Sequence, residues 1–534
     1  MPARLLPVVG PNIQAVDGLA REAGNVAEVT SLAAATADVD QLRFVNGRLD
    51  PQAVADMERP LADTVDALEQ LEDSIDTAHS PWLVAPIGDR FALLSDQLDD
   101  AVPDAETALT AVRLGPDLLG ADQPRHYLVL FVTPVEARGR TGFPGNFAEL
   151  VLDDGKLSMP RFGRISELEQ GGTPPDQRTL TDPPDYVARY DRFDPAGTWR
   201  NITMSPDFPS VAVAAEQLYP QSGGGPIDGV LAVDPVGLAG LLRYTGPVDV
   251  AGFGQLTAEN AAQFLLLDQY TRFTDVSQRI DVLEQVARTT FERLTLADLP
   301  GPRAVSEQLD PLVDGGHIQF TPVDTQQFLV IDQLGLAGRL GDIDGDALAV
   351  TTSNAAGSKI DLFLERELRY AVRWDPASGQ VAGTITATLH NTAPASGLPD
   401  YVIGNVIGLP IGTNRSYLSI YTPFDVGAAR IDGQPLSVES AVERDRNVYS
   451  TFVTIPPGGT VTVELDVTGR VEGDYALDLA QQPLVHAEQA AVSIEVAGDG
   501  EVAADGIRGA RVDGRTVTWS GPLDRRYRLT LDTG

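Results

Sequence analysis

The stretch TPVEARGRTGFPGNFAELVLDDGKLSMPRFGRI (133–165) follows an apolar run, HYLVLFV (126–132), and gathers two glutamates and four arginines around several glycines. A uniformly apolar run of this length is what a strand buried on both faces presents. The chain is acidic overall, so arginines set beside carboxylates just past such a strand need a reason. Glycines at GRTGFPGNF (139–147) let backbone approach a ligand or a neighbouring segment.

Outward from this stretch, residues 121–345 alternate strand-like and helix-like segments. HYLVLFV, FAELVL (147–152), DGVLAVD (228–234) and VDV (248–250) suit a buried sheet. VAVAAEQLY (211–219), PVGLAGLLRYTG (235–246), TAENAAQFLLLDQY (257–270) and VSQRIDVLEQVARTTFERL (276–294) have helical period. Alternation of this kind implies α/β layering. Residues 1–120 predict a helical arm, a hairpin or stalk. Val54, Met57, Leu61, Val65, Leu68 and Leu71 recur at three- and four-residue spacing, and a second run spans 90–120. FVNGRLDPQ (44–52) supplies a turn and a proline start. From 346 to 534 the texture changes to alternating strands bounded by Gly, Pro, Asn and Asp, among them 360–374, 379–391, 414–424, 458–469, 474–483, 490–498 and 515–521. These predict one or two β-sandwich modules. The fold class expected is thus multidomain, α/β plus all-β.

Composition removes several functions. The net charge is −37, which opposes non-specific nucleic-acid binding, since that needs a cationic face to release counterions. There are no cysteines, so disulfides, thiolate metal sites and cysteine catalysis are excluded. The five histidines are far apart in sequence and form no HExxH pair, so no metal site is expected. No segment reaches the length of a membrane span. No GxSxG, GxGxxG or Walker sequence appears in a strand–turn–helix setting, so serine hydrolysis and nucleotide cofactors have no support. Only Lys156 and Lys359 are lysine among 39 cationic residues, as a GC-rich genome would give, so single arginines mean little and clusters must carry the reading.

The order RHYLVLFVTPVEARGRTGF, FAELVLDDGKLSMPRFGRI, then WRNITMSPDFPSVAVAAEQLYPQSGGGPIDGVLAVDPVGLAGLLRYTGPVDV closely resembles the domain of unknown function 4012 family of actinobacterial envelope proteins. It is similar, more remotely, to the LytR-CpsA-Psr core, whose members transfer glycopolymers from lipid-pyrophosphate carriers to the cell wall. The resemblance covers roughly residues 125–250. By position it sets Glu136 and Arg138 at the acidic-x-Arg turn and Glu149 at the acid opening the next strand. It sets Pro160 and Arg161 at a basic turn, Asn201 in the later Asn segment, and Asp228 and Asp234 in the IDGVLAVD strand. It implies an extracytoplasmic protein, secreted or in the cell envelope, with a membrane contact only through an anchor absent from this chain.

Two chemistries follow. Glycoside cleavage or transglycosylation needs two carboxyl groups across the scissile bond, near ~5 Å apart for retention and roughly 6.5–9.5 Å for inversion. Glu136 past one strand and Glu149 on the next are the expected pair, brought together by a hairpin, with Asp207 as a third candidate that also reads as a helix N-cap. Arg138 and Arg140 would orient them. Arg161, Arg164, Asn201 and Trp199 would bind substrate, with Tyr190 and Phe143 as further stacking candidates, each of which also reads as a core aromatic. The resemblance implies an arabinan-type furanose polymer of the cell wall as substrate, with no cofactor. The alternative is a glycopolymer phosphotransferase whose arginines clamp phosphate, the one case in which Mg²⁺ would be required. Residues 125–200 hold nine arginines and one lysine against eleven acids, so no cationic basin supports it. A non-catalytic scaffold or glycan-binding protein is the third reading. The sugar, the linkage and the oligomeric state are not legible.

Overall fold

The computed structural model describes residues 24, 26–27, 42–78, 85–272 and 276–533. It is a mixed α/β protein with extensive β content. Of the helical reading for residues 11–41, all but residues 24, 26 and 27 lies outside the described residues.

A two-residue turn at Asn46–Gly47, both with positive φ, opens the described chain, as tight hairpins require. Asp50 then caps the helix Pro51–Ala55 by accepting from the Gln52 N–H, and Pro51 fills a first-turn position that needs no donor. The helices Glu58–Ala78 and Ala85–Leu118 follow. Glu58, at the start of one, pairs with Arg113 near the end of the other, so they run antiparallel. Leu71, Ile75, Leu98 and Val102 fill the seam between them.

The first large sheet has five strands: β1 (Arg125–Thr133), β2 (Phe143–Asp153), β3 (Lys156–Arg164), β4 (Gly229–Val233) and β7 (Ile318–Pro322), in the order β3-β2-β1-β4-β7. β1 is central, antiparallel to β2 and parallel to β4. Its residues alternate between two cores, as strand geometry dictates. Leu128, Leu130 and Val132 face Phe147, Trp199 and the helix Phe208–Gln221. Tyr127, Val129 and Phe131 face the helices Pro235–Thr245 and Val276–Leu294. The segment VDV forms β5 (Val248–Val250), which pairs only with β6 (Gly254–Leu256) and stands outside this sheet. TAENAAQFLLLDQY is not one helix: a π-helical turn at Phe264–Asp268 separates Ala261–Gln263 from Gln269–Arg272. Pro160 and Arg161, expected in a turn, lie within β3, where Arg161 pairs in register with Glu149.

The second half is built from β8 (Asp346–Asn354), β9 (Leu364–Asp375), β10 (Gln380–Asn391), β11 (Asn414–Thr422), β12 (Asp425–Ile431), β13 (Gln434–Pro435), β14 (Glu439–Glu443), β15 (Arg446–Ile455), β16 (Thr460–Arg470), β17 (Tyr475–Ala480), β18 (Gln489–Val496), β19 (Ala503–Asp505), β20 (Arg511–Asp513), β21 (Thr516–Pro522) and β22 (Tyr527–Asp532). They form an eight-stranded sheet, β13-β12-β16-β10-β9-β18-β21-β20, and a seven-stranded sheet, β14-β15-β11-β8-β17-β22-β19. Both sheets feed one apolar core that includes Val350, Trp374, Ile385, Leu465, Leu477, Val492 and Leu529. The last six strands extend both sheets through the parallel pairs β17–β8 and β18–β9. β9 alternates buried and exposed along its length. Its inward cation, Arg366, is matched by the Glu488 carboxylate, the Gln482 amide oxygen and the Val350 carbonyl.

Candidate functional site

The loop that follows β1 is a seam between the two halves of the chain. Gly139 has φ +43°, and a Cβ there would meet the Ser205 carbonyl oxygen at 2.2 Å, so only glycine fits. Around it, each polar residue of EARGR finds its partner in the second half. The Ala137 N–H donates to Asp361 Oδ2 at 2.9 Å, and the Asn354 N–H donates to the Ala137 carbonyl at 2.8 Å. Arg138 donates to the Asn354 carbonyl at 2.8 Å. Arg140 donates to the Gln481 carbonyl at 2.7 Å and its amide oxygen at 3.0 Å. Gln482 donates to the Gly139 carbonyl at 2.6 Å. Glu136 is ion-paired with Lys359. Burial pushes both guanidinium groups, Arg138 and Arg140, down to about 10. The arginines beside the carboxylates are therefore fasteners, satisfied largely by backbone and amide oxygens of the other half.

Register corrects the expected carboxylate pair. Thr133 pairs with Phe143 and Leu128 with Glu149. Glu136 lies beside Phe143, whose N–H donates to the Glu136 carbonyl at 3.0 Å. Glu149 is six residues further along β2, roughly 20 Å away at strand rise. Its carboxylate leans away again, accepting from Tyr219 at 3.0 Å and lying 3.0 Å from His126 Nδ1. No hairpin brings the two glutamates to one bond.

The other expected site residues are also engaged. Trp199 is fully buried and donates from Nε1 to Ser222 at 2.7 Å, so it is a core residue, not a stacking platform. Tyr190 is buried in the seam, where its hydroxyl meets Glu443 and Tyr421. Phe143 lies under the Lys359 ammonium. Asn201 donates to the Phe193 carbonyl at 2.8 Å. Arg161 stacks over Phe147 at 4.8 Å and donates to the Gly223 carbonyl, and Arg164 pairs with Glu284 at 3.2 Å. Asp228 binds Arg125 and the His126 N–H, and Asp234 caps the helix Pro235–Thr245 and meets His317 at 2.7 Å. Among the described residues, no group of three or more His, Asp or Glu side chains is placed to hold a metal ion.

Asp207 is the expected residue that reaches a cleft. It caps the helix Phe208–Gln221, accepting from the Ser210 N–H at 3.2 Å and the Ser210 hydroxyl at 2.6 Å, while its other oxygen takes the Leu340 N–H at 3.0 Å. The cleft beside it, about 270 Å³, is walled by that helix (Pro209, Val213, Glu216), by the end of β7 with the helix Thr325–Gln333 (Thr321, Val323, Phe328), and by Arg444. Arg444 comes from the second half, on the two-residue turn between β14 and β15. Arg444 and Asp445 both have positive φ, at 51° and 60°. Turns of this hand favour Gly, Asn and Asp, so an arginine held there is strained. The turn is fixed by the Arg444 N–H donating to Asp185 at 2.8 Å. It brings Arg444 Nε to 3.6 Å from Asp207 Oδ2, an ion-pair distance too long for a hydrogen bond, so this buried N–H has no hydrogen-bond partner. Across the cleft, burial raises the Glu216 carboxyl above its usual range. Glu216 and Arg444 were not expected from sequence. The signal for Arg444 was available in VERDRNV, a charged two-residue turn between alternating strands.

No curated protein matches this chain. Among solved structures, a Legionella pneumophila protein described as a nutrient binding protein is 12% identical over 36% of this chain and 73% of its own, with a TM-score of 0.22. The M1 zinc metallopeptidase of Deinococcus radiodurans is 15% identical over 31% of this chain and 42% of its own, with a TM-score of 0.18. Native yeast LTA4 hydrolase is 12% identical over 32% of this chain and 29% of its own, with a TM-score of 0.20. Similarities at this level carry no argument about fold or activity. Residues 122–270, which supply β1 to β6 and the helical wall of the cleft, match the family model described as "Protein of unknown function (DUF4012)".

Proposed function

We propose that the protein is a non-catalytic polysaccharide-binding component of the cell envelope, taking a furanosyl chain of arabinan type in the cleft between the helix Phe208–Gln221 and the Arg444 turn. The observation that carries this over glycoside cleavage at the β1–β2 loop is the separation of Glu136 and Glu149, roughly 20 Å where either stereochemistry needs less than about 10 Å. The cleft has the make-up of a small-ligand site, apolar walls with a few polar groups at one end. Glu216 offers acceptors to sugar hydroxyls, Arg444 adds a cation to the same wall, and Phe328 offers an aromatic surface. On this reading the chain is a helical arm, a LytR-CpsA-Psr-like α/β core and sandwich modules, working outside the cytoplasm. The substrate class and location rest on the family resemblance.

One observation favours a second reading, a glycoside hydrolase working in this same cleft. Two carboxyl groups, Glu216 and Asp207, line its walls, and burial shifts the Glu216 carboxyl upward. Phosphate transfer is less well supported, because Arg138 and Arg140 are committed to carbonyl and amide oxygens in the seam. Titration of a purified arabinan-type polysaccharide into the protein, with analysis of released sugars, separates the readings. Binding without release supports the first. Release that stops in Glu216→Gln supports the second. Absence of binding overturns both.

A further inference from the structure

This chain uses arginine for 37 of its 39 cationic positions, and its two lysines sit in different settings. Lys156 lies near the surface and donates to the backbone carbonyls of Asn46 and Thr295. Lys359 lies in the seam, its Nζ in contact with the Glu136 carboxylate, with the two side chains 13% and 9% exposed. For a buried ion pair the planar guanidinium is the better partner, and the neighbouring seam positions Arg138 and Arg140 use it. What lysine has and arginine lacks is an amine that sheds its proton on burial and becomes a nucleophile. Burial pushes Lys359 down to about 8. The amine lies over the Phe143 ring, Nζ 4.9 Å from the ring centroid.

A second carboxyl completes the arrangement. Asp361 is buried, and burial raises it above the usual aspartate range. It accepts from Asn354 Nδ2 at 2.7 Å, Asn414 Nδ2 at 2.8 Å and the Ala137 N–H at 2.9 Å. It is thus fixed to the residue next to Glu136 and lies two residues from Lys359, whose charge it feels.

We propose that Lys359 and Glu136 become joined by an intramolecular amide bond. The ammonium first returns a proton to the carboxylate, leaving a neutral amine and a carboxylic acid. Nζ then attacks Cδ of Glu136. The Nζ–Cδ bond forms, one Cδ–O bond breaks, and the oxygen leaves as water with the proton that nitrogen gives up. Asp361, bonded to the Ala137 N–H beside Glu136, is a positioning group for the pair. No oxidant, reductant or co-reactant is needed. A dry seam favours the step, because the neutral amide replaces two charges that are costly to bury. The bond links positions 223 residues apart and ties the α/β half covalently to the β half.

The test is the mass of the intact, denatured wild-type chain followed by a tryptic map. The expected result is a mass below the sequence mass by one water, with peptide 126–138 joined to peptide 340–366 and no cleavage after Lys359. Lys359→Arg and Glu136→Ala return the full sequence mass, Asp361→Asn slows or abolishes the loss, and Lys156→Arg keeps it. A wild-type chain at full sequence mass with Lys359 cut by trypsin overturns the proposal, as does a water loss mapped elsewhere. The deciding readout is on the wild-type protein, so a variant that fails to fold does not obscure it.

Discussion

Replacing Arg189 with methionine tests the seam at its most enclosed point. The Arg189 side chain is 4% exposed and that of Glu443 is fully buried, with Nε 3.2 Å from Oε2. Glu443 also accepts from Ser205 at 2.6 Å, Tyr190 at 2.8 Å and Tyr421 at 3.0 Å, and Arg189 donates to Ser419 and Ser450. Arg189→Met leaves a buried carboxylate with neutral donors only, which costs about 3–5 kcal/mol. The pH dependence has a definite sign. Burial already holds the Glu443 carboxyl above the usual range, and losing the cation raises it further. The folded state then binds a proton that the unfolded state has released, so stability falls as pH rises above the ordinary glutamate value of about 4.3. The Arg189→Met deficit is therefore largest at neutral pH and shrinks toward about pH 5. The assay is chemical unfolding of wild type, Arg189→Met, Glu443→Gln and the double variant at both pH values. The double variant should recover about 2 kcal/mol or more relative to the sum of the singles. Additivity within about 0.5 kcal/mol, with no pH dependence, would refute the reasoning.

Three further outcomes are expected. Asp346 is buried, accepts from Tyr370 at 2.8 Å and from Tyr475, and has one oxygen without a partner; burial pushes it up to about 6. Its ionisation therefore removes roughly 3 kcal/mol as pH rises from the ordinary aspartate range through about 6. Asp346→Asn should flatten that slope in unfolding midpoints taken across the range. Asp207→Ala removes the cap of the helix Phe208–Gln221 and should cost about 1–2 kcal/mol in the same assay. Trp199→Ala opens a core cavity and should cost about 3–5 kcal/mol while leaving polysaccharide affinity unchanged where the variant remains folded. Lost affinity at unchanged stability would restore its stacking role.

Local pattern made some elements legible and hid others. The helix Val276–Leu294 was read from its period because one face is buried. β9 was read from alternation for the corresponding reason. β8 was missed because all nine of its residues are buried, so DALAVTTSN shows no alternation. β3 was hidden because the resemblance set Pro160 and Arg161 at a turn, although the strand sits at the edge of its sheet, where proline is tolerated. The stretch after β1 was singled out for its clustered charges, and its partners lie more than two hundred residues away: Asn354, Lys359, Asp361 and Gln481. Glu136 and Glu149 looked adjacent because a hairpin joins their strands. Only the register, with Thr133 opposite Phe143, sets one at the loop and the other far down the strand. The cleft was out of reach for the same reason, since Glu216 and Arg444 come to line one cleft only when the β14–β15 turn docks on the α/β half.

The most direct measurement is calorimetric titration of an arabinan-type polysaccharide into wild type and Arg444→Met, with the sugars released from each mixture analysed in parallel. The account predicts binding that weakens about tenfold in the variant, a loss of about 1.4 kcal/mol, with no sugar released by either protein. Equal affinity for the two proteins, or sugar release by the wild type that stops in Glu136→Gln or Glu149→Gln, would contradict it.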